Sequence, residues 1–176
     1  MSNPSPSART VSWSEVHADA RALARRLLAV PHPAGPWKGI VAITRGGMVP
    51  AAVLAREMRL RLIETLSIAS YDEQDQGGIH ILKTPDMAMA DGGLGWLLVD
   101  DLVDTGTTAR AARQLLPDAL FVTLYAKPAA RDLPDIFIHE VAQDVWVHFP
   151  WDTEEHDGEL TYAPPLAPAA AETSSS

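Results

Sequence analysis

The sequence predicts an α/β fold in which a mainly parallel, twisted sheet is flanked by helices. Strand-length apolar segments alternate with segments of helical periodicity, which is typical of parallel sheets. Residues 39–43 are apolar on both faces, as in a central parallel strand. A chain of 176 residues with 47% hydrophobic residues fits a single domain. In such folds ligands bind beyond the carboxyl ends of the strands, so a site is expected there.

The first helix is predicted to begin near residue 13. Ser12 and Glu15 have the spacing of a capping box, in which each residue satisfies a backbone N–H of the other. Apolar residues then recur every three or four positions, at Val16, Ala20, Leu23 and Leu27. This periodicity predicts an amphipathic helix that covers one side of the sheet.

Both ends of the chain have the composition of flexible tails. Residues 1–10 are rich in Ser and Pro, and residues 163–176 are rich in Ala and Pro. Such segments bury too little apolar surface to offset the entropy lost on ordering. We therefore expect a domain at residues 11–162 between two flexible tails.

The remaining elements follow in alternation after the strand at residues 39–43. Pro50 suits the first residue of a helix that runs to about Met58, because its missing N–H is not needed there. Further strands are expected at residues 62–69, 96–99 and 120–126, with a helix at residues 107–116.

Composition excludes several classes of function. The formal charge is -9, which opposes binding to nucleic acid. The chain contains no cysteine, which removes disulfides and zinc-thiolate sites, and none of its six histidines forms a zinc-binding pair. No apolar stretch is long enough to span a bilayer, so membrane contact through the basic helix face at Arg21, Arg25 and Arg26 is at most peripheral. We expect a cytoplasmic protein.

Two carboxylates stand at the end of an apolar strand. Residues 96–99 are apolar enough to be buried on both faces, yet they run directly into Asp100 and Asp101. Buried carboxylates are costly unless they are partnered. Sugar hydroxyls or Mg²⁺ are suitable partners for such a pair.

A phosphate-binding loop follows the acidic pair. The segment Asp104, Thr105, Gly106, Thr107, Thr108 combines a glycine, which permits a tight turn, with hydroxyls and free amides at the start of the next helix. Such a helix N-terminus binds phosphate through its unpaired N–H groups and the helix dipole. Carboxylates beside a phosphate site together indicate a phosphorylated sugar.

Residues 96–108 resemble the motif that binds 5-phosphoribosyl-1-pyrophosphate (PRPP) in the type I phosphoribosyltransferases. The shared pattern is four apolar residues, two acids, two apolar residues and then Asp-Thr-Gly-x-Thr. Four other segments resemble the xanthine-guanine members of that family and occur in the same order with similar spacing, at residues 44–50, 70–72, 126–128 and 145–147. The resemblance covers about residues 12–165. It implies the type I fold, with a small hood region and a mobile lid loop.

The resemblance implies a site for PRPP and for Mg²⁺ as cofactor. Asp100 and Asp101 would hold the ribose hydroxyls, with Asp101 nearest the metal, and Arg45-Gly46-Gly47 would form the pyrophosphate loop. The complete implied PRPP site comprises Arg45, Gly46, Gly47, Asp100, Asp101, Leu102, Val103, Asp104, Thr105, Gly106, Thr107 and Thr108.

The same resemblance implies a purine site. Lys127 would donate to the 6-oxo group, Trp146 would stack on the base, and carbonyls of Trp146 and Val147 would accept from the 2-amino group of guanine. Asp104 would be the catalytic residue, sharing the proton at N7 while N9 attacks the ribose. The implied reaction transfers phosphoribosyl from PRPP to xanthine or guanine, and hypoxanthine is a third acceptor left open, with pyrophosphate as by-product.

Residues 71–81 are expected to be the lid, because they are polar and glycine-containing between two apolar segments. Relatives usually carry a basic residue near Gly77, whereas no Lys or Arg occurs from Tyr71 to Leu82; His80 and Lys83 are candidate replacements. Two other functions stay open, a hypoxanthine-guanine enzyme and a non-catalytic module that senses PRPP or purine. The family resemblance also implies a homo-oligomer, a dimer or a tetramer, and suggests a tetramer.

Overall fold

The computed structural model describes residues 7–30, 35–70 and 79–152. In chain order its elements are β1 (Ala8–Thr10), α1 (Trp13–Ala29), β2 (Gly39–Thr44), α2 (Met48–Glu57), β3 (Ile63–Ser70), β4 (Ile79–Lys83), α3 (Asp86–Met89), β5 (Trp96–Val103), α4 (Thr107–Leu115), β6 (Leu120–Ala126), β7 (Ile136–Glu140) and β8 (Trp146–His148).

A six-stranded sheet with the order β4-β3-β2-β5-β6-β7 forms the centre of the molecule. Every neighbouring pair is parallel except β3 and β4, so β4 is an antiparallel edge strand. The carboxyl ends of β2 and β5 therefore lie at the same edge of the sheet. The predicted mainly parallel α/β fold is confirmed.

Helices cover both faces of this sheet because alternate residues of its strands are apolar on each side. On one face, α1 and α2 pack on side chains such as Ile40 and Leu97. On the other face, α3 and α4 pack on side chains such as Val41 and Leu98. All four of these strand residues are fully buried, as expected for central strands between two helical layers.

Helix α1 begins as the sequence predicts. The Ser12 N–H donates to Glu15 Oε2 at 2.8 Å, and the Glu15 N–H donates to Ser12 Oγ at 3.3 Å. The hydrogen bonds from Ser12 lower the pKa of the Glu15 carboxyl. The predicted apolar stripe is buried, with relative exposures of 1% or less at Val16, Ala20, Leu23 and Leu27.

Two element boundaries differ from the prediction by more than one residue. Helix α2 begins at Met48 rather than Pro50, with Gly47 as its N-cap. Pro50 is tolerated there because the first N–H to bond within the helix is that of Ala51, which donates to Gly47 O at 3.0 Å. Strand β5 continues beyond residue 99 to Val103, because its pairing with β6 continues at Asp100, Leu102 and Val103.

The N-terminal tail prediction is wrong for three of its ten residues. Ala8–Thr10 forms strand β1, which pairs in parallel with β8 in a separate two-stranded sheet. The sequence of β1 is short and polar, so its order comes from a long-range partner rather than from local periodicity. Residues 1–6 lie outside the described residues.

The lid prediction is also partly corrected. Ile79–Ile81, placed in the lid, belong to strand β4, and the residues 71–78 lie outside the described residues. The predicted C-terminal tail and residues 153–162 lie outside them as well. None of the helices in the described ranges is both long and apolar enough to cross a bilayer.

Candidate active site

Asp100 and Asp101 occupy adjacent positions near the end of β5. Asp100 is buried, with 8% exposure, and Asp101 is partly buried. The Asp101 N–H donates to Asp100 Oδ1 at 3.0 Å, and the Leu102 N–H donates to Asp101 Oδ1 at 2.7 Å. Each carboxylate is thus oriented by the next backbone amide, and a side-chain hydrogen bond also joins the two carboxyl groups.

The environment of this pair disfavours two negative charges. Burial raises the pKa of Asp100 well above its usual range, and the charge of Asp101 raises it further. Burial also raises the pKa of Asp101 to about 6, with a smaller contribution from the charge of Asp152. Hydrogen-bond donors or a cation would relieve this unfavourable arrangement.

A cavity of about 130 Å³ lies where β5 gives way to α4. Gly106 adopts a left-handed conformation with φ of 82° and is the N-cap of α4. The first amides of the helix have no partner inside it, because the Arg110 N–H is the first to bond, to Gly106 O at 2.9 Å. The Arg110 guanidinium braces the loop through Thr105 O at 2.6 Å. The cavity is lined by Asp100, Leu102, Val103, Asp104, Thr105, Gly106, Thr107, Thr108 and Ala109.

The turn that contains Arg45, Gly46 and Gly47 packs against the acidic pair. A Cβ atom at Gly46 would overlap the carboxyl group of Asp101, and one at Gly47 would overlap the carbonyl of Val99. Only glycine permits this approach. The peptide bond between Thr44 and Arg45 is cis, and the Arg45 side chain is exposed. Two segments that are far apart in the sequence therefore meet at one sheet edge.

Lys127 follows β6 and joins the loop at residues 104–108 through Asp104. Its side chain is buried, with 4% exposure, and its Nζ donates to Asp104 Oδ2 at 2.8 Å. The Lys127 N–H donates to Val103 O at 2.9 Å, which extends the pairing of β5 with β6. A buried ammonium therefore faces the half-exposed carboxylate that begins the loop.

Trp146 and Val147 lie on β8, outside the main sheet. Trp146 is 60% exposed and so is not a core aromatic, whereas Val147 is buried. The Trp146 N–H donates to Ser7 O at 2.8 Å. In the described part of the chain, no hydrogen bond or ring contact joins the Trp146 side chain to Lys127 or Asp104. The connection runs instead through Gln143, three residues earlier, whose Nε2 donates to Asp104 Oδ1 at 2.7 Å.

Comparison with known proteins decides the family. Residues 12–157 match the model of the phosphoribosyl transferase domain. The chain is 55% identical over 143 residues to the xanthine-guanine phosphoribosyltransferase of Chromohalobacter salexigens, which covers 81% of this chain and 83% of the relative. It is also 55% identical over 145 residues to the enzyme of that name from Nitratidesulfovibrio vulgaris, covering 82% and 84%. The chain belongs to the phosphoribosyltransferase family.

Solved phosphoribosyltransferase structures share the fold at lower sequence identity. A purine phosphoribosyltransferase from Pyrococcus horikoshii superposes with a TM-score of 0.68 at 20% identity, covering 86% of this chain and 99% of that one. The xanthine-guanine-hypoxanthine phosphoribosyltransferase of Helicobacter pylori gives 0.67 at 24% identity, covering 82% and 93%. These similarities confirm the type I phosphoribosyltransferase fold expected from the motif.

The acidic pair fits a phosphoribosyltransferase Mg²⁺ site. Residues 7–30, 35–70 and 79–152 contain no group of three or more metal-ligating side chains. Mg²⁺ is usually held by only one or two carboxylates together with substrate phosphates, so a pair is a sufficient set. Burial raises the pKa values of Asp100 and Asp101 because it disfavours their negative charges. A bound divalent cation would stabilise those charges.

The two candidate replacements for the basic lid residue are placed differently. Lys83 donates to the carbonyls of Thr65 at 3.1 Å and Thr84 at 3.2 Å, so its ammonium is engaged along the sheet edge. His80 pairs with Ala69, near the carboxyl end of β3 and hence at the edge where β2 and β5 end. His80 thus lies closer to that edge than Lys83 does.

Gln143 and Asp152 are two site neighbours that sequence reasoning missed. Asp152 bonds to the Phe149 N–H at 2.8 Å and lies near enough to Asp101 to affect its pKa. Both are polar residues in irregular segments, and no local pattern connects them to the motif, which ends more than 30 residues earlier. A second cavity, of about 610 Å³ at the end of α2, contains none of the predicted site residues.

Proposed function

We propose that this chain transfers the 5-phosphoribosyl group of PRPP to N9 of xanthine or guanine, releasing pyrophosphate, as a purine salvage enzyme. The observation that carries the proposal is the buried Lys127 ammonium, 2.8 Å from the Asp104 carboxylate beside the phosphate loop. This arrangement offers one donor and one acceptor to a planar base. The two relatives at 55% identity carry the name xanthine-guanine phosphoribosyltransferase, which supports the same acceptor.

The phosphate end of PRPP fits the cavity at the start of α4. The free amides there and the hydroxyls of Thr105, Thr107 and Thr108 are donors, and a phosphate monoester offers only acceptors at neutral pH. The helix dipole adds a favourable positive potential. A chain with a formal charge of -9 depends on such local donors to hold an anion.

The ribose and the pyrophosphate fit the adjoining edge of the sheet. Asp100 and Asp101 accept hydrogen bonds from the ribose hydroxyls. The backbone N–H groups of the Arg45-Gly46-Gly47 turn donate to the pyrophosphate. Asp101 is the residue that would hold Mg²⁺, which, when bound, neutralises charge that develops on the departing pyrophosphate. The exposed guanidinium of Arg45 adds positive charge beside that group.

The base fits between Lys127 and Trp146. Lys127 has only donors, so it favours the 6-oxo group and disfavours adenine, whose 6-amino group is itself a donor. The exposed ring of Trp146 stacks on the base, and carbonyls of Trp146 and Val147 accept from the 2-amino group of guanine. Asp104 shares the proton at N7 and so keeps N9 nucleophilic while the bond from C1 to pyrophosphate breaks.

Removal of the Asp104 charge tests this mechanism. Asp104→Asn is expected to lower kcat with guanine by about 10²–10⁴-fold, the usual value of general acid–base catalysis. Asp132→Asn is the matched control, since the Asp132 side chain is 97% exposed. Near-normal turnover of Asp104→Asn would refute the catalytic role. PRPP binding without purine-dependent pyrophosphate release by the unaltered chain would refute the enzymatic function and indicate a sensor.

We also propose that the chain assembles as a homodimer or homotetramer. Strand β4 is an exposed edge, and Ile79, Ile81 and Leu82 on it are between 40% and 56% exposed. Apolar edge strands are usually covered by another element or another chain. Light scattering after size-exclusion chromatography gives the subunit count, and a monomeric mass would contradict assembly.

A further inference from the structure

Gln143 lies between β7 and β8 and joins three parts of the site. Its Nε2 donates to Asp104 Oδ1 at 2.7 Å, and its Oε1 accepts from the Ala129 N–H at 3.0 Å. Its main-chain carbonyl accepts from Lys127 Nζ at 3.4 Å. A carboxylate can only accept and a backbone N–H can only donate, so the orientation of this amide is fixed by its partners.

The carboxylate of Asp104 is consequently held at both oxygens. Lys127 Nζ occupies Oδ2 at 2.8 Å, and the Gln143 amide occupies Oδ1. The Asp104 side chain is 42% exposed and lies in an irregular loop, so packing alone does not fix its orientation. A single ion pair would let the carboxylate rotate about its bond to Lys127, and the second bond prevents this.

Gln143 also ties this carboxylate to the strand that carries the stacking ring. Trp146 and Val147 follow it by three and four residues, and the Val145 N–H closes the intervening turn on Ala142 O at 3.1 Å. The bond to Ala129 fixes the turn that follows Lys127, where the Ala130 N–H donates to Lys127 O at 3.1 Å. One side chain therefore sets the spacing between the elements on either side of a bound base.

We propose that Gln143 is a positioning residue for the purine: it fixes the Asp104 carboxylate in the orientation that receives the base and holds β8 at the matching distance. This inference rests on the proposed function. It adds a residue outside the motif at residues 96–108 and outside the other segments that resemble the family. It also makes a separate claim, that loss of Gln143 weakens binding of the base more than binding of PRPP, which carries no base.

Two substitutions separate this role from a merely structural one. Gln143→Met keeps the length of the side chain and removes both of its hydrogen bonds. Gln143→Glu keeps an acceptor for the Ala129 N–H but sets an oxygen that cannot donate against Asp104 Oδ1. Gln114→Met and Gln114→Glu are the matched controls. Gln114 is exposed on α4, and these substitutions make the same changes of shape and charge there.

The experiment measures binding of guanosine monophosphate and of PRPP, each with Mg²⁺, by calorimetry, together with kcat and KM for guanine. Both Gln143 variants are expected to bind guanosine monophosphate about tenfold more weakly, as for one hydrogen bond to a charged group, with a clearly smaller loss of PRPP affinity. The KM for guanine is expected to rise more than the KM for PRPP. The Gln114 variants are expected to match the unaltered protein.

Three outcomes would overturn the proposal. If only Gln143→Met is impaired, the bond to Ala129 matters and the bond to Asp104 does not. If neither variant is impaired, or if affinity for PRPP falls as much as that for guanosine monophosphate, Gln143 does not position the base. Absence of pyrophosphate release by the unaltered protein with every 6-oxopurine is a different result, which refutes the proposed function and this inference with it.

Discussion

The two carboxylates of Asp100 and Asp101 on β5 should lower the free energy of unfolding of the ligand-free protein. Removal of one of the two charges should therefore raise it. Asp101→Asn removes that charge and keeps the shape of the side chain, so its oxygen can still accept from the Leu102 N–H, 2.7 Å from Oδ1 in the present structure. We predict that Asp101→Asn is more stable than the unaltered chain at pH 8, although it binds PRPP and Mg²⁺ poorly.

The size of the effect follows from the pKa of Asp101. Burial raises that pKa from an ordinary value of 3.8 to about 6, which corresponds to about 3 kcal/mol at roughly 1.36 kcal/mol per pH unit. Between these values the folded state binds more protons than the unfolded state, so this group lowers the free energy of unfolding as pH rises. The penalty is complete above about pH 6 and absent below about pH 4.

Urea unfolding at a series of pH values from 4 to 8, with a chelator to remove metal, measures this difference. The gain in free energy of unfolding for Asp101→Asn should be near zero at pH 4 and reach about 2–3 kcal/mol at pH 8. Asp132→Asn, at a position 97% exposed, should give less than about 0.5 kcal/mol at every pH. A variant no more stable than the unaltered chain at pH 8 would refute the assignment of burial as the cause.

Three further predictions concern backbone positions. Arg59→Gly should raise the free energy of unfolding by about 0.5–1 kcal/mol in urea titrations, because Arg59 has a φ of 58° and glycine adopts that conformation without strain; a loss of stability would contradict this. Gly46→Ala should weaken PRPP binding by calorimetry, because its Cβ overlaps the Asp101 carboxyl, and unchanged affinity would show that the turn is free to move. Deletion of residues 1–10 should raise the KM for guanine more than that for PRPP, because β8 loses its partner β1, and equal KM values before and after would contradict a role for β1.

The parts of the fold that local sequence determines were predictable. The Ser12 and Glu15 capping box located the start of α1, and the apolar run at residues 39–43 located a central strand. The motif at residues 96–108 placed two carboxylates and a turn into the next helix at a strand end, since the chain itself joins them. The structure adds that Gly46 reaches Asp101, because parallel neighbours end at the same edge.

Features that depend on long-range contacts were not predictable. Strand β1 has three residues and is ordered by pairing with β8, more than 130 residues later. Gln143 is an exposed residue in a turn, and its importance follows from two hydrogen bonds that sequence spacing does not reveal. The prediction that α2 begins at Pro50 was wrong because proline is accepted at any of the first helical positions, whose N–H groups lack an intrahelical acceptor.

The choice of base tests the central claim most directly. Pyrophosphate release from PRPP with Mg²⁺ is measured spectrophotometrically with xanthine, guanine, hypoxanthine or adenine as acceptor. We predict release with xanthine and guanine, and a kcat/KM for adenine lower than that for guanine by about 10²-fold or more, because the buried ammonium of Lys127 has no acceptor on adenine at position 6. Equal rates with adenine and guanine, or no release with any of the four bases, would contradict the proposed 6-oxopurine site.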